Sequence, residues 1–303
     1  MVELYVRNVM QKKLENKEQW YHRWAPSLGG LEGKPEDVWG TLPYNSKEHI
    51  DKPTVFCGLY GLPDFYAMWR HRGRKAAWWA GSDIRHFIAG YWLDDEGETH
   101  IRPEGMAQWI NKYCESWVEN EVEQTALANI GIYAYVCPSF MGNIDDYPVS
   151  FEANGKYYAS VSGDDFKLYK WDAVEELAKG YPELEFHLYG NTVPWVTKNK
   201  NVIVHGRVPK EEMNEEVKHM TGGIRLLEFD GASEITVKSI LWGQYPISVI
   251  KYPGTTRPED ISLLEYQKEP NLKAREWWIE NLNQYPWNSY AKRSLQTVKP
   301  TLE

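Results

Sequence analysis

The 303-residue chain has room for two domains and a sizeable core. Its hydrophobic fraction of 42% and charged fraction of 25% are those of a soluble globular protein. A net charge of -9 argues against a generic binder of the nucleic-acid backbone, although Arg70, His71, Arg72, Arg74 and Lys75 form a local basic cluster. The 15 Trp and 20 Tyr can stack on sugars or bases, yet core packing accounts for most such rings.

The first 50 residues carry a weak pattern. Val2–Val6 suits a short strand, Gln11–Trp24 reads as a helix or charged connection, and Pro26–Asn45 reads as irregular loop. The N-terminal stretch lacks the apolar segment of a secretory signal, and no window approaches the ~18 apolar residues of a membrane span. Cys57, Cys114 and Cys137 are dispersed and odd in number, which fits a reducing compartment and offers neither a disulfide framework nor a zinc site. A cytoplasmic protein is therefore expected.

From Thr54 the pattern becomes regular. Thr54–Leu59 reads as a strand, Pro63–Arg72 as a helix stopped by Gly73, and Lys75–Ala80 as a second strand ending at Gly81-Ser82-Asp83. Two buried strands joined by a helix imply a parallel sheet. Asp83 falls just past a strand end, where such sheets place their sites, or it caps the next helix. Helices are expected over Pro103–Trp117 and Val118–Asn129, then a strand over Ile132–Val136 and a linker at Met141–Pro148.

The second half repeats the rhythm more clearly. Strands are expected at Tyr157–Val161, Glu185–Tyr189 and Val202–Val204, with helices at Trp171–Lys179 and Lys210–Met220. Thr221–Ile250 holds a strand (Ile224–Leu227), an acidic turn (Glu228–Ser233), a helix bearing Ile235, Ile240 and Leu241, and a strand from Pro246. Ser233 suits the N-cap, Glu234 favours the positive helix end, and Gly243 suits the stop. Such a turn seats a phosphate on its amides or serves turn geometry alone. A Trp-rich helix at Ala274–Leu282 and a last one near Trp287–Val298 complete the chain.

No GxGxxG, Walker or HExxH motif is present, and the eight histidines are dispersed, so no metal site is expected. The order of fragments in the second half is more informative. SVSG (Ser160–Gly163), YPELEFHLYGN, NVIVHGRVPKEEMNE and RLLEFDGASEITVKSILWGQYPIS follow in sequence, and WWAGSDI stands at Trp78–Ile84. Together, from about Thr54 to Ile250, they resemble the GT-B fold retaining glycosyltransferases of the group 1, family 4-like kind.

The resemblance implies an α/β protein of two Rossmann-like domains facing a central cleft. An acceptor-side domain would span 1–145, a nucleotide-sugar donor domain 146–275, and helices at 276–303 would return to the first domain. It implies a hexosyltransferase-like enzyme working with retention and without metal, with a nucleoside-diphosphate sugar as co-substrate and no permanently bound cofactor. The acceptor stays open among a glycan, a lipid-linked glycan, a protein and a modified base. Two glutamates eight positions apart flank the helix start in such enzymes. The first, near the transferred sugar, falls on Asp230; the second, which holds the ribose, falls on Lys238. An ammonium only donates hydrogen bonds, so either Lys238 reaches a phosphate or base, or Glu234 substitutes, or activity has been lost.

Gly163, Lys167 and Lys170 match the diphosphate region after the first strand, and Gly231, Ala232 and Ser233 match the loop that meets the diphosphate. Arg225 recurs beside such a loop, and His205 with Gly206 matches a segment against the base. Asp83 would face the cleft from the other side. Two alternatives remain: a catalytically silent GT-B protein binding a sugar or nucleotide, and a transferase acting on DNA bases through the Arg70–Lys75 cluster.

Overall fold

The computed structural model describes residues 18–28, 33–89 and 103–289. The expected strand Val2–Val6 and most of the expected helix near Trp287–Val298 lie outside them. The chain divides into two compact units. One comprises the residues up to Cys137 together with those from Asn283, and the other is Pro138–Leu282.

The first unit carries β1 (Tyr21–Trp24), α1 (Pro35–Trp39), β2 (Leu42–Pro43), β3 (Thr54–Cys57), α2 (Leu62–Arg70) and β4 (Lys75–Trp78). After these come α3 (Ser82–Ala89), α4 (Pro103–Tyr113), β5 (Cys114–Val118), α5 (Glu121–Asn129) and β6 (Ala134–Val136). The strands form one parallel sheet in the order β2-β1-β3-β4-β5-β6. β3 and β4 are buried along their whole length, as expected of parallel strands covered on both faces.

Three expectations change here. Tyr21–Trp24 is a strand, because all four of its residues pair with β3 from Thr54 to Cys57. The loop expected at Pro26–Asn45 contains α1 and β2. The helix expected to reach Trp117 stops at Tyr113, and Cys114–Val118 pairs with β4 and β6. Asn120 then caps α5 by accepting the Glu123 amide at 3.0 Å, while the buried Glu123 carboxylate accepts the Glu119 amide at 2.8 Å.

Much of the aromatic content packs this unit. Trp39 meets Trp78, Tyr285 and Trp287 edge-on, and Tyr285 stacks on Trp287 at 4.6 Å. Trp78 Nε1 donates to Tyr285 Oη at 2.9 Å, and that hydroxyl donates to the Cys137 carbonyl at 2.7 Å. The basic cluster is absorbed in part. His71 is buried against Tyr44, the Lys75 ammonium lies 5.3 Å over Trp109, and Arg74 pairs with Glu115 at 2.7 Å. Of that stretch Arg70, Arg72 and Arg74 are exposed, Arg74 in its pair with Glu115, while His71 and Lys75 are buried.

The second unit carries β7 (Lys156–Ser160), α6 (Trp171–Gly180), β8 (Glu185–Tyr189), β9 (Val202–Gly206) and α7 (Lys210–Val217). It continues through β10 (Gly222–Arg225), α8 (Glu234–Leu241), β11 (Ile247–Ser248) and α9 (Leu272–Asn281). Its parallel sheet runs β11-β10-β7-β8-β9. β7 alternates between two cores: Tyr157, Ala159 and Val161 pack with Trp171 and Phe186, while Tyr158 packs with Tyr189, Ile240 and Trp278. The segment expected as a linker is packed here, with Met141 and Tyr147 both buried. The strand order reverses direction between β7 and β10, which makes their C-terminal ends the topological switch point of the sheet.

Candidate functional site

A pocket of about 670 Å³ opens at that switch point, built wholly from the second unit. Its walls come from the end of β7 (Ser160 to Asp164), from Gly190 and Thr192 after β8, and from Arg207 to Lys210 after β9. Met213, Asn214 and Val217 on α7 and Glu234, Ile235, Lys238 and Trp242 on and after α8 complete the lining. Three loops that follow three parallel strands therefore converge on one concavity.

The glycines explain how the loops come so close. Gly163, Gly190 and Gly206 each follow or end a strand with φ of 63°, 96° and 76°, the region most side chains avoid. At Gly190 a Cβ would also lie 2.3 Å from the Val161 carbonyl oxygen, so only glycine lets the two loops meet. Asp164, at φ 55°, ties them together by accepting the Thr192 amide at 2.7 Å and the Thr192 hydroxyl. Those bonds hold the Asp164 carboxyl below the usual carboxylate range.

α8 starts where the sequence places it. Ser233 Oγ accepts the Thr236 amide at 3.2 Å, and Gly243 follows the helix with φ 80°. The first two helical residues line the pocket, so the positive end of α8 lies at its wall. Glu234 is held between two lysines, Lys210 at 3.5 Å and Lys238 at 3.4 Å. Lys238 is 4% exposed and its ammonium also lies 5.9 Å over Tyr147.

Of the candidate residues, Gly163, Glu234 and Lys238 line the pocket. Gly231, Ala232 and Ser233 form the turn into α8, the Gly231 carbonyl accepting the Tyr252 hydroxyl at 2.9 Å. Asp230 precedes them, half-buried, and accepts Arg225 Nε at 2.6 Å; the same guanidinium lies 4.6 Å over Tyr169. Lys167 is outside the lining, and Lys170 takes a left-handed conformation before α6 and faces Glu228 at 3.8 Å. Gly206 accepts the Gly190 amide through its carbonyl at 2.8 Å. His205 points to another neighbourhood, stacked on Tyr189 at 4.3 Å with its Nε2 2.9 Å from His187 Nδ1.

Asp83, in the first unit, is fully buried. Its carboxylate accepts the Leu59, Ala80 and Ile84 amides, each at 2.9 Å, which ties the loops after β3 and β4 together. Burial pushes its pKa up to about 6 despite those bonds. Asp83 is the second residue of α3, and its enclosed carboxylate ties two backbone turns together rather than opening onto a surface.

Arg207, Lys210, Asp164 and Thr192 line the pocket although the sequence reading did not single them out. The available signal for Asp164, Thr192 and Arg207 was their position one or two residues after a glycine that follows or ends a strand; Lys210 begins α7.

A UDP-forming α,α-trehalose-phosphate synthase from Burkholderia vietnamiensis superposes with a TM-score of 0.53 at 9% identity, over 80% of this chain and 72% of that one. The fold is that of the GT-B glycosyltransferases. A second GT-B structure, a mutant of S. aureus TarM in complex with fondaparinux, alpha-GlcNAc-glycerol and UDP, superposes with a TM-score of 0.50 at 14% identity. That match covers 77% of this chain and 53% of TarM, so the chain spans about half the length of that GT-B protein. No family model matches the sequence, and no curated protein matches it significantly.

Proposed function

We propose that the protein is a glycosyltransferase that binds a nucleoside-diphosphate sugar in the pocket of its second unit and transfers the sugar to an acceptor. The observation that carries this reading is the pocket itself. A concavity at the switch point of a parallel sheet, with a helix N-terminus and the cations Arg207 and Lys210 in its wall, suits a diphosphate. The UDP held by the TarM complex and the UDP-forming activity named for the trehalose-phosphate synthase are consistent with it.

In this reading Arg207, Lys210 and the first turn of α8 meet the charge that develops on the departing diphosphate as its bond to the anomeric carbon breaks. Such stabilisation needs no metal ion. Glu234, held by two lysines, supplies the acceptor oxygens for the ribose that Lys238 cannot supply. Asp230, fixed by Arg225, positions the transferred sugar, and transfer proceeds with retention, as the sequence resemblance implies. The three free cysteines favour the cytoplasm, and no described helix is long and apolar enough to cross a membrane.

Lys238 favours a second reading, a catalytically silent GT-B protein that binds the nucleotide only, because it stands buried where the resemblance places a glutamate. Incubation with a panel of nucleotide sugars, following release of the nucleoside diphosphate, separates the two. Slow donor hydrolysis that disappears in Asp230→Ala supports the transferase, and saturable binding without release supports the silent protein. Neither binding nor release across the panel contradicts both.

A further inference from the structure

Outside the pocket, His187 on β8, His205 on β9 and Glu216 on α7 converge. His187 Nδ1 lies 2.9 Å from His205 Nε2, and Glu216 Oε1 lies 3.7 Å from the first and 3.8 Å from the second. These three atoms form a triangle whose corners are all about 2.0 Å from one central point, which is the bond length of Zn²⁺ to imidazole nitrogen and carboxylate oxygen. Two imidazoles and one carboxylate are also a donor set of the zinc class.

We propose that His187, His205 and Glu216 bind one divalent transition-metal ion of the zinc class, with water in the remaining position.

The two imidazoles share a hydrogen bond at 2.9 Å, and their surroundings also suit a metal ligand set. Glu185 Oε2 lies 3.4 Å from His187 Nε2, the nitrogen facing away from the central point, and Glu185 is itself paired with Lys156 at 3.1 Å. A carboxylate on the far nitrogen fixes the tautomer in which Nδ1 carries the free lone pair, as the outer partners of zinc-bound histidines do. The Tyr189 ring, stacked on His205 at 4.3 Å, holds the second imidazole in its plane. His187 is buried, His205 half-buried and Glu216 exposed, which leaves an open side through which an ion can enter and water can coordinate.

The three ligands come from two neighbouring strands and the helix that follows them. A bound ion would therefore staple α7 to the β8–β9 edge. Met213, Asn214 and Val217 of the same helix line the pocket. The staple lies outside the pocket lining and is independent of the transfer chemistry proposed above.

The test is calorimetric titration of ZnCl₂ into the full chain, without an affinity tag and stripped with a chelator, together with His205→Ala and Glu216→Gln. Circular dichroism confirms that each variant is folded, and both positions have enough exposure to tolerate the change. We expect one Zn²⁺ per chain, at least about 100-fold weaker binding in His205→Ala, at least about tenfold weaker binding in Glu216→Gln, and roughly tenfold weaker binding in a third variant, Glu185→Gln, through loss of the outer carboxylate. Wild-type protein, and not His205→Ala, should also gain several degrees in Tm on adding Zn²⁺. Absence of stoichiometric binding to the wild type, or binding that survives His205→Ala unchanged, would overturn the proposal.

Discussion

Asp83 and Asp230 occupy comparable places, each just past the C-terminal end of a strand in a parallel sheet, yet their surroundings differ in kind. Asp83 is sealed from solvent and its oxygens accept three backbone amides. Asp230 is half-buried and accepts the Arg225 guanidinium at 2.6 Å, so a charged side chain rather than the backbone holds it. A strand-end carboxylate can thus be enclosed by backbone donors, as Asp83 is, or be held by a side-chain cation at partial exposure, as Asp230 is.

The largest effect that would break the comparison is at Asp230. Asp230→Ala should lower donor turnover by about 10² or more while the circular dichroism spectrum stays that of the wild type. Ordinary turnover in that variant would remove Asp230 from the site. Asp83→Asn should show the opposite profile, since the amide group would face the Leu59 N–H and leave a buried donor unsatisfied. The expected cost is about 1–3 kcal/mol in denaturant unfolding at pH 7, with the donor KM unchanged.

The pH dependence sharpens the same contrast. The folded Asp83 carboxyl keeps its proton up to about pH 6, whereas the unfolded one releases it near the usual carboxylate pKa. Its stabilising contribution is therefore present below about pH 4 and lost as pH rises through about 6. Buried His22 and His71 act with the opposite sign, because burial lowers their pKa and protonation below the usual histidine value favours unfolding. The stability gap between wild type and Asp83→Asn isolates the aspartate, and it should narrow as pH rises from 4 through 6.

A smaller effect is expected at the ribose. Glu234→Gln should raise the donor KM roughly tenfold with little change in kcat, because a neutral amide is a weaker acceptor and loses its hold on Lys210 and Lys238. An unchanged KM would place the ribose elsewhere.

What was legible in the sequence were the devices written in adjacent residues. Ser233 caps α8, Gly243 follows its end, and the glycines at 163, 190 and 206 close strands, all through local backbone chemistry. β5 was hidden because Met106, Ile110 and Trp117 also satisfy a helical period, and pairing with β4 and β6 decided the outcome. The basic cluster Arg70–Lys75 looked like a surface in sequence, but alternation turns Lys75 inward onto Trp109. Arg207 and Lys210 escaped notice because the pocket draws on loops far apart in the chain, and only the strand order brings those loops together. The different fates of Asp83 and Asp230 depend on burial, which a short motif does not encode.

The central claim is that the pocket of the second unit holds a nucleoside diphosphate. Its most direct test is calorimetric titration of UDP, GDP and ADP into the wild-type protein and into the Arg207→Ala, Lys210→Ala double variant. The account predicts saturable 1:1 binding of at least one of the three, weakened at least about tenfold in the double variant. No binding of any of them, or binding of equal strength in the double variant, would contradict it.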